Sequence, residues 1–175
     1  MRWLIFSLTP FIIFLLFMHH SSTGAEKYKA APLQIQAALF VKLLSFHKGI
    51  SRGGDIYIHV IDNTALAAEL QQVIGEKIGN ATLTVVDASS QLPSDDRKPS
   101  AVYVSEDADL AKILDYTSTN KVLSITGTPD LVAKGVTLGV GILNQKPHIF
   151  LNISSSKKEG IDWNPAILKV STIIE

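Results

Sequence analysis

The stretch GGDIYIHVIDNTALAAELQQVI, residues 53–74, runs a strand pattern straight into a helix pattern. After the Gly53-Gly54 break, Ile56, Ile58 and Val60 alternate with Tyr57 and His59, the period of a β-strand over residues 55–61. Asp62 or Asn63 then offers a side-chain oxygen to cap a helix, and Leu66, Leu70, Val73 and Ile74 form one apolar stripe over residues 64–74. A strand followed at once by an amphipathic helix is the unit from which parallel sheets are built, since parallel strands need a long crossover between them.

The same alternation continues on both sides. Upstream, residues 32–46 carry Leu33, Ala37, Phe40, Leu43 and Leu44 at helical spacing. Downstream, residues 80–86 are β-rich, residues 89–99 read as an exposed polar loop with two prolines, and residues 101–104 make a short apolar strand. A helix over about residues 107–116 and a strand over 122–126 follow, and Thr128-Pro129-Asp130 reads as an N-cap with proline in the first helical turn. Residues 135–143 and 147–153 then form an antiparallel hairpin through Asn144-Gln145-Lys146, and Asn164-Pro165 opens a closing amphipathic helix through Ile174. Its stripe is Ala166, Ile167, Val170, Ile173 and Ile174. The expected architecture is a three-layer α/β sandwich, mostly parallel, with a C-terminal antiparallel hairpin and a closing helix.

The N-terminus carries an export pattern. Arg2 precedes an apolar run over residues 4–18, and Thr23-Gly24-Ala25 puts small residues before the charged Glu26-Lys27. Pro10 interrupts the run, which falls short of the roughly 20 apolar residues of a membrane-spanning helix. Cleavage at Ala25/Glu26 and a periplasmic mature domain over residues 26–175 are the expectation, with an uncleaved anchor as the alternative. Sixteen basic and sixteen acidic residues balance in the whole chain, and loss of Arg2 leaves the mature part at −1. No basic stripe supports nucleic-acid binding. Cysteine is absent, which excludes thiol nucleophiles, Cys-ligated zinc and disulfide switching.

Three segments carry a family resemblance. KGVTLGVGILNQKPHIFLNISSSKKEGIDWNPAILKVSTII, residues 134–174, holds Gly135, Gly139, Asn152, Lys158, Glu159, Gly160, Leu168 and Lys169 in the order seen at the end of the YfiR-like family of bacterial periplasmic proteins. IQAALFVKLLSF, residues 35–46, resembles that family's opening helix, and VLSITGTPDLVAKG, residues 122–135, is similar to its lead into the hairpin. Two departures stand out. Phe46-His47-Lys48-Gly49 replaces the aromatic-Trp-Pro ending of the first helix, and the cysteines that some members carry are missing. The resemblance implies a soluble, non-catalytic sensor or repressor that acts on a membrane partner such as a diguanylate cyclase.

The residues themselves argue the same way. His47, His59 and His148 are the histidines left after cleavage, and no ligand-spaced pair accompanies them, so no metal and no cofactor are expected. His47 falls at a helix end, where an imidazolium would complement the dipole. Asp95-Asp96 reads as a solvated turn, Gly139-Val140-Gly141 as a bulge or a close backbone approach inside a strand, and Ser154-Ser155-Ser156 lacks a nucleophile elbow. Asn152 is expected to tie the strand end to the following turn. Function through protein contact is the leading expectation, with the partner an inner-membrane signalling protein or a second copy of the chain. Phe40, Val41, Leu44 and Phe46 are the interface candidates, because apolar residues surround more than one side of the first helix. The alternative is a small-ligand-binding protein serving a transporter or receptor, with Thr126, Gly127 and Thr128 at a strand end as the binding loop. A hydrolase is the least supported class.

Overall fold

The computed structural model describes residues 28–94 and 96–174. The export segment expected for residues 1–25, and Asp95 of the Asp95-Asp96 pair, lie outside these. Helix α1 (Leu33–Leu44) and the one-turn α2 (Lys48–Ser51) precede β1 (Gly54–Ile61) and α3 (Thr64–Gln71). Asn63 caps α3 by accepting from Leu66 N–H at 2.9 Å. The chain continues through β2 (Lys77–Ile78), β3 (Ala81–Ser89), β4 (Ala101–Tyr103), α4 (Leu110–Asn120), β5 (Leu123–Thr126) and α5 (Pro129–Ala133). It closes with β6 (Leu138–Leu143), β7 (Lys146–Asn152), α6 (Ile153–Lys158), a 3-10 turn (Pro165–Lys169) and β8 (Thr172–Ile174).

Eight strands form one sheet in the order β2-β3-β1-β4-β5-β6-β7-β8. Pairing is parallel from β3 through β1, β4 and β5 to β6, and antiparallel in the β6/β7 hairpin and at β2. The period of two along each strand divides the core. Ile56, Ile58, Val60, Tyr103, Leu123, Ile125 and Leu138 join Phe40, Leu44, Leu66 and Leu70 of α1 and α3 on one face. Val102 and Val104 meet Ile113, Val122, Leu131 and Val136 on the other, beneath α4 and α5. This is the expected α/β sandwich. Gly139 and Gly141 do mark a close approach: a Cβ on them would lie 2.3 Å from Val132 Cγ2 and 2.4 Å from Pro129 Cγ, so α5 rests directly on β6.

Two expectations need correction. The closing segment is a 3-10 turn and an edge strand, not a helix. Asn164 starts it as anticipated, its side chain accepting from Ala166 N–H at 3.0 Å. Beyond it, Val170-Ser171-Thr172-Ile173-Ile174 is rich in β-branched residues, which lose rotamer freedom in a helix and suit a pleated surface. The open edge of β7 offers a backbone ladder, and β8 pairs with it in parallel. Of the proposed stripe, Ile167 is fully buried, whereas Val170 and Ile173 are exposed.

The second correction concerns α1. Phe40 and Leu44 are 0% exposed, Val41 is buried, and Phe46 is half-buried against the same core. More than one side of α1 is apolar because more than one side is covered within the monomer, by the sheet, by α3 and by the segment around Trp163. That segment is laced to the end of α1 by Asn164 N–H to Phe46 O at 2.7 Å and Lys48 N–H to Asp162 O at 2.9 Å.

Removing the Ile167 side chain beyond Cβ should therefore cost about 2–5 kcal/mol, while Val170→Ser should stay within about 0.5 kcal/mol of the parent. Denaturant melts of the two variants side by side test the assignment, and equal losses would refute it.

Candidate functional site

The strand order reverses around β1. The chain leaves β1 through α3 to reach β3 on one side, then crosses back to β4 on the other, so the connections after β1 and β4 depart to opposite faces. A crevice opens between such diverging loops at the carboxyl ends of the strands. Here it has a volume of about 290 Å³ and is lined by Asp62 and Asn63 after β1, Ser105, Glu106 and Asp107 after β4, Gly127 and Thr128 after β5, and Ala31 and Gln36 from the N-terminal side. Asp62 takes a left-handed backbone (φ 54°), which aspartate tolerates better than most residues.

The floor is a chain of hydrogen bonds among buried groups. Gly127 N–H donates to Tyr103 Oη at 3.3 Å, and Tyr103 O–H donates to Gln36 Oε1 at 3.1 Å. Gln36 Nε2 then donates to Ala31 O at 2.7 Å. Four segments are thus tied at one point: the loop after β5, strand β4, helix α1 and the chain leading into α1. Burial raises the Tyr103 pKa, the hydrogen bond with Gly127 opposing, so the phenol stays protonated and serves as donor and acceptor. A Cβ at Gly127 would lie 1.9 Å from Gln36 Oε1, so a larger residue there would displace the amide. Thr126 sits beneath the rim. Its hydroxyl donates to Val104 O at 2.8 Å and accepts from Thr128 N–H at 3.1 Å, which shapes the turn. Of the three residues expected at a ligand, Gly127 and Thr128 line the crevice and Thr126 supports them. Three carboxylates and no basic side chain line the walls, so the mouth favours cationic or hydrogen-bonding solutes over anions.

The three histidines among the described residues are engaged within the fold. His47 does not complement a helix C-terminus as an imidazolium. It is the N-cap of α2, its Nδ1 accepting from Gly49 N–H at 2.9 Å, and burial lowers its pKa, which suits a neutral ring acting as acceptor. His59 is buried with Nδ1 2.6 Å from Asp87 Oδ1 and Nε2 2.9 Å from Gln91 O, so both ring nitrogens are engaged within the fold. His148 packs edge-on to Tyr28 with ring centroids 5.4 Å apart. Asn152 ties its strand end down as expected, accepting from Ser155 N–H at 2.8 Å and donating to Val132 O at 3.0 Å. Among the described residues, no group of three or more His, Cys, Asp or Glu could hold a metal ion, and no helix is long and apolar enough to cross a membrane.

A family model described as YfiR/HmsC-like matches residues 33–172. The chain belongs to the YfiR/HmsC-like family. No curated protein matches it. Among solved structures it is similar to a conserved domain protein from Vibrio cholerae O1 biovar El Tor, with a TM-score of 0.54 and 14% identity. That alignment covers 84% of this chain and 61% of the other, so the chain spans about three fifths of the length of that structure, and the likeness is one of fold. In this YfiR/HmsC-like chain Glu159 is 2% exposed and locks the end of α6 to the sheet, its Oε2 accepting from Ser124 N–H at 3.0 Å. Burial raises its pKa above the ordinary 4.5, and the hydrogen bonds from Ser124 only partly offset this. Gln36 and Tyr103 were not singled out in the sequence. The legible signal was that Gln36 falls three residues after Leu33 and four before Phe40, on the buried stripe, where an amide needs partners.

Gly127→Ala should displace Gln36 and cost about 1–3 kcal/mol, read by denaturant melts, and an unchanged midpoint would mean the floor is not as tight as described. For Glu159, a raised folded-state pKa means that the folded chain holds the proton more strongly than the unfolded chain. Its contribution is then present below about pH 4.5 and lost as pH rises through the folded value. The stability difference between Glu159→Gln and the parent should move in favour of the variant from about pH 4 to about pH 7. Parallel stability curves for the two proteins would contradict it.

Proposed function

We propose that this chain is a periplasmic regulatory module that acts, without catalysis, through contact with the outer domain of an inner-membrane signalling protein, a diguanylate cyclase or a sensor kinase. The observation that carries the proposal is family membership across residues 33–172, preceded by the export pattern of residues 1–25. Side-chain chemistry supports it. The buried polar groups that would serve a reaction are engaged in holding elements together: His59 by two acceptors, Tyr103 by Gly127 and Gln36, and Glu159 by Ser124. With Phe40, Val41 and Leu44 inside the core, the contact surface is assigned to exposed parts of the domain rather than to the apolar side of α1.

The strand-end crevice favours a second reading, a small-ligand-binding protein that serves a transporter or receptor. The two are compatible if a solute held at Asp62, Glu106, Asp107 and Gly127 sets the affinity for the membrane partner. In both readings the mature protein begins at Glu26, after cleavage of the leader.

Affinity capture from the native cell envelope, with the mature protein as bait, separates the readings. Stoichiometric recovery of one membrane protein with a cyclase or kinase domain is the expected result. Recovery of a transporter instead would favour the ligand-binding reading, and N-terminal sequencing of the periplasmic fraction should return Glu26-Lys27-Tyr28. A chain that keeps Met1 and stays in the membrane fraction would overturn the localisation.

A further inference from the structure

We infer that His59 is a pH-sensitive latch on the segment that crosses the sheet between β3 and β4. The ring is 3% exposed on the α4 side of β1, and its register neighbours are Asp87 on β3 and Val102 on β4. Nδ1 stands 2.6 Å from Asp87 Oδ1, and Nε2 stands 2.9 Å from the backbone carbonyl of Gln91, which belongs to the crossing segment. Tyr57 gives its own proton to Asp87 Oδ2 at 2.8 Å and so presents only its oxygen to Nδ1, at 3.2 Å. All three partners accept. A neutral imidazole has one N–H, whereas the imidazolium has two, so the arrangement is complete only when His59 is charged.

Loss of one proton leaves a single N–H for two sites. The carboxylate is the stronger partner and keeps it at Nδ1. The Nε2 lone pair then faces the lone pairs of the Gln91 carbonyl, and an attraction becomes a repulsion. The latch is therefore closed at lower pH and released as pH rises. The charged and titratable groups around the ring are Tyr57 on its own strand, Asp87 on β3, Arg97 from the crossing segment with its guanidinium 5.1 Å from the Tyr57 ring centroid, and Tyr116 from α4, which acts on Tyr57. Apart from His59, the segment is held by Leu92, packed against the smaller apolar cluster, by buried Pro93 and Pro99, and by the Arg97 stack on Tyr57. At its end Ser100 N–H donates to Tyr57 O at 2.8 Å, so release frees the part around Gln91. Release has a direction in the fold. A cavity of about 100 Å³ between the segment and α4 is walled by Leu92, Ser90 and Asp62, and Asp62 also lines the strand-end crevice, so the freed segment unpins one flank of that crevice. The inference rests on hydrogen-bond chemistry alone and does not depend on the regulatory reading.

The test uses the ¹⁵N-labelled mature protein. Long-range ¹H–¹⁵N spectra of the His59 ring across a pH series should show the two-N–H imidazolium pattern at the acidic end and the Nδ1–H tautomer at the basic end. Over the same transition the heteronuclear NOE of the Gln91 and Leu92 amides should fall. Tryptic cleavage after Arg97, normalised to a free peptide of the same sequence, should rise on the order of tenfold as the segment opens locally. His59→Gln should abolish the pH dependence of that cleavage. A ring that shows a single N–H throughout the series would overturn the latch, as would a segment whose order and cleavage do not follow the change in the ring. The wild-type measurements decide the matter even if the variant fails to fold.

Discussion

Strand β1 must be paired on both edges and covered on both faces, and most of the architecture follows from meeting that demand. Ile58 and Val60 are 0% exposed, and β3 and β4 flank the strand in parallel. Parallel neighbours cannot be reached by a tight turn, so the chain spends α3 on one crossover and a long covering segment on the next. Because β3 and β4 lie on opposite sides of β1, those connections leave for opposite faces. Two helical layers and a parting of loops at the carboxyl end of the sheet are the geometric outcome, and the crevice is that parting.

Burial on this scale brings polar groups inside, and each is answered by a partner from a different element. Gln36 on α1 meets Tyr103 on β4 and the chain before α1, Glu159 after α6 meets the Ser124 amide on β5, and His59 on β1 meets Asp87 on β3 and Gln91 beyond it. A buried polar atom without a partner costs far more than a satisfied one returns, so such groups act chiefly as registration points that accept one relative placement of their elements. This explains why residue types that elsewhere carry catalysis are here drawn into the scaffold. The crevice differs from these points in carrying exposed carboxylates over its hydrogen-bonded floor.

Strand β1, a cap at Asp62 or Asn63, helix α3, the β6/β7 hairpin and the special role of the glycines at 139 and 141 could all be read from the chain. Each depends on neighbours within a few positions: alternation, a capping side chain, a glycine inside a β-run. Amphipathicity also showed that α1 is a helix with a wide apolar surface. It could not show what covers that surface: the sheet and α3, with the segment around Trp163 tied to the end of the helix, turn an apparent interface into core. The closing segment illustrates the same limit. Its stripe satisfied a helical period from Ala166 to Ile174, yet the open edge of β7 was available and a run of β-branched residues took it.

Of the candidate site, the loop at Thr126 to Thr128 was visible as a strand-end turn, while Gln36, Tyr103 and the three carboxylates were not. Local pattern determined the class of fold and the strands β1 and β3 to β7, because periodicity, caps and composition act between near neighbours along the chain. Tertiary structure alone decided which apolar faces are covered, which buried polar groups meet, and that residues from positions 31 to 128 share one crevice. Those outcomes depend on the order of strands in the sheet, and strand order is set by competition among distant pairings that no short window of sequence contains.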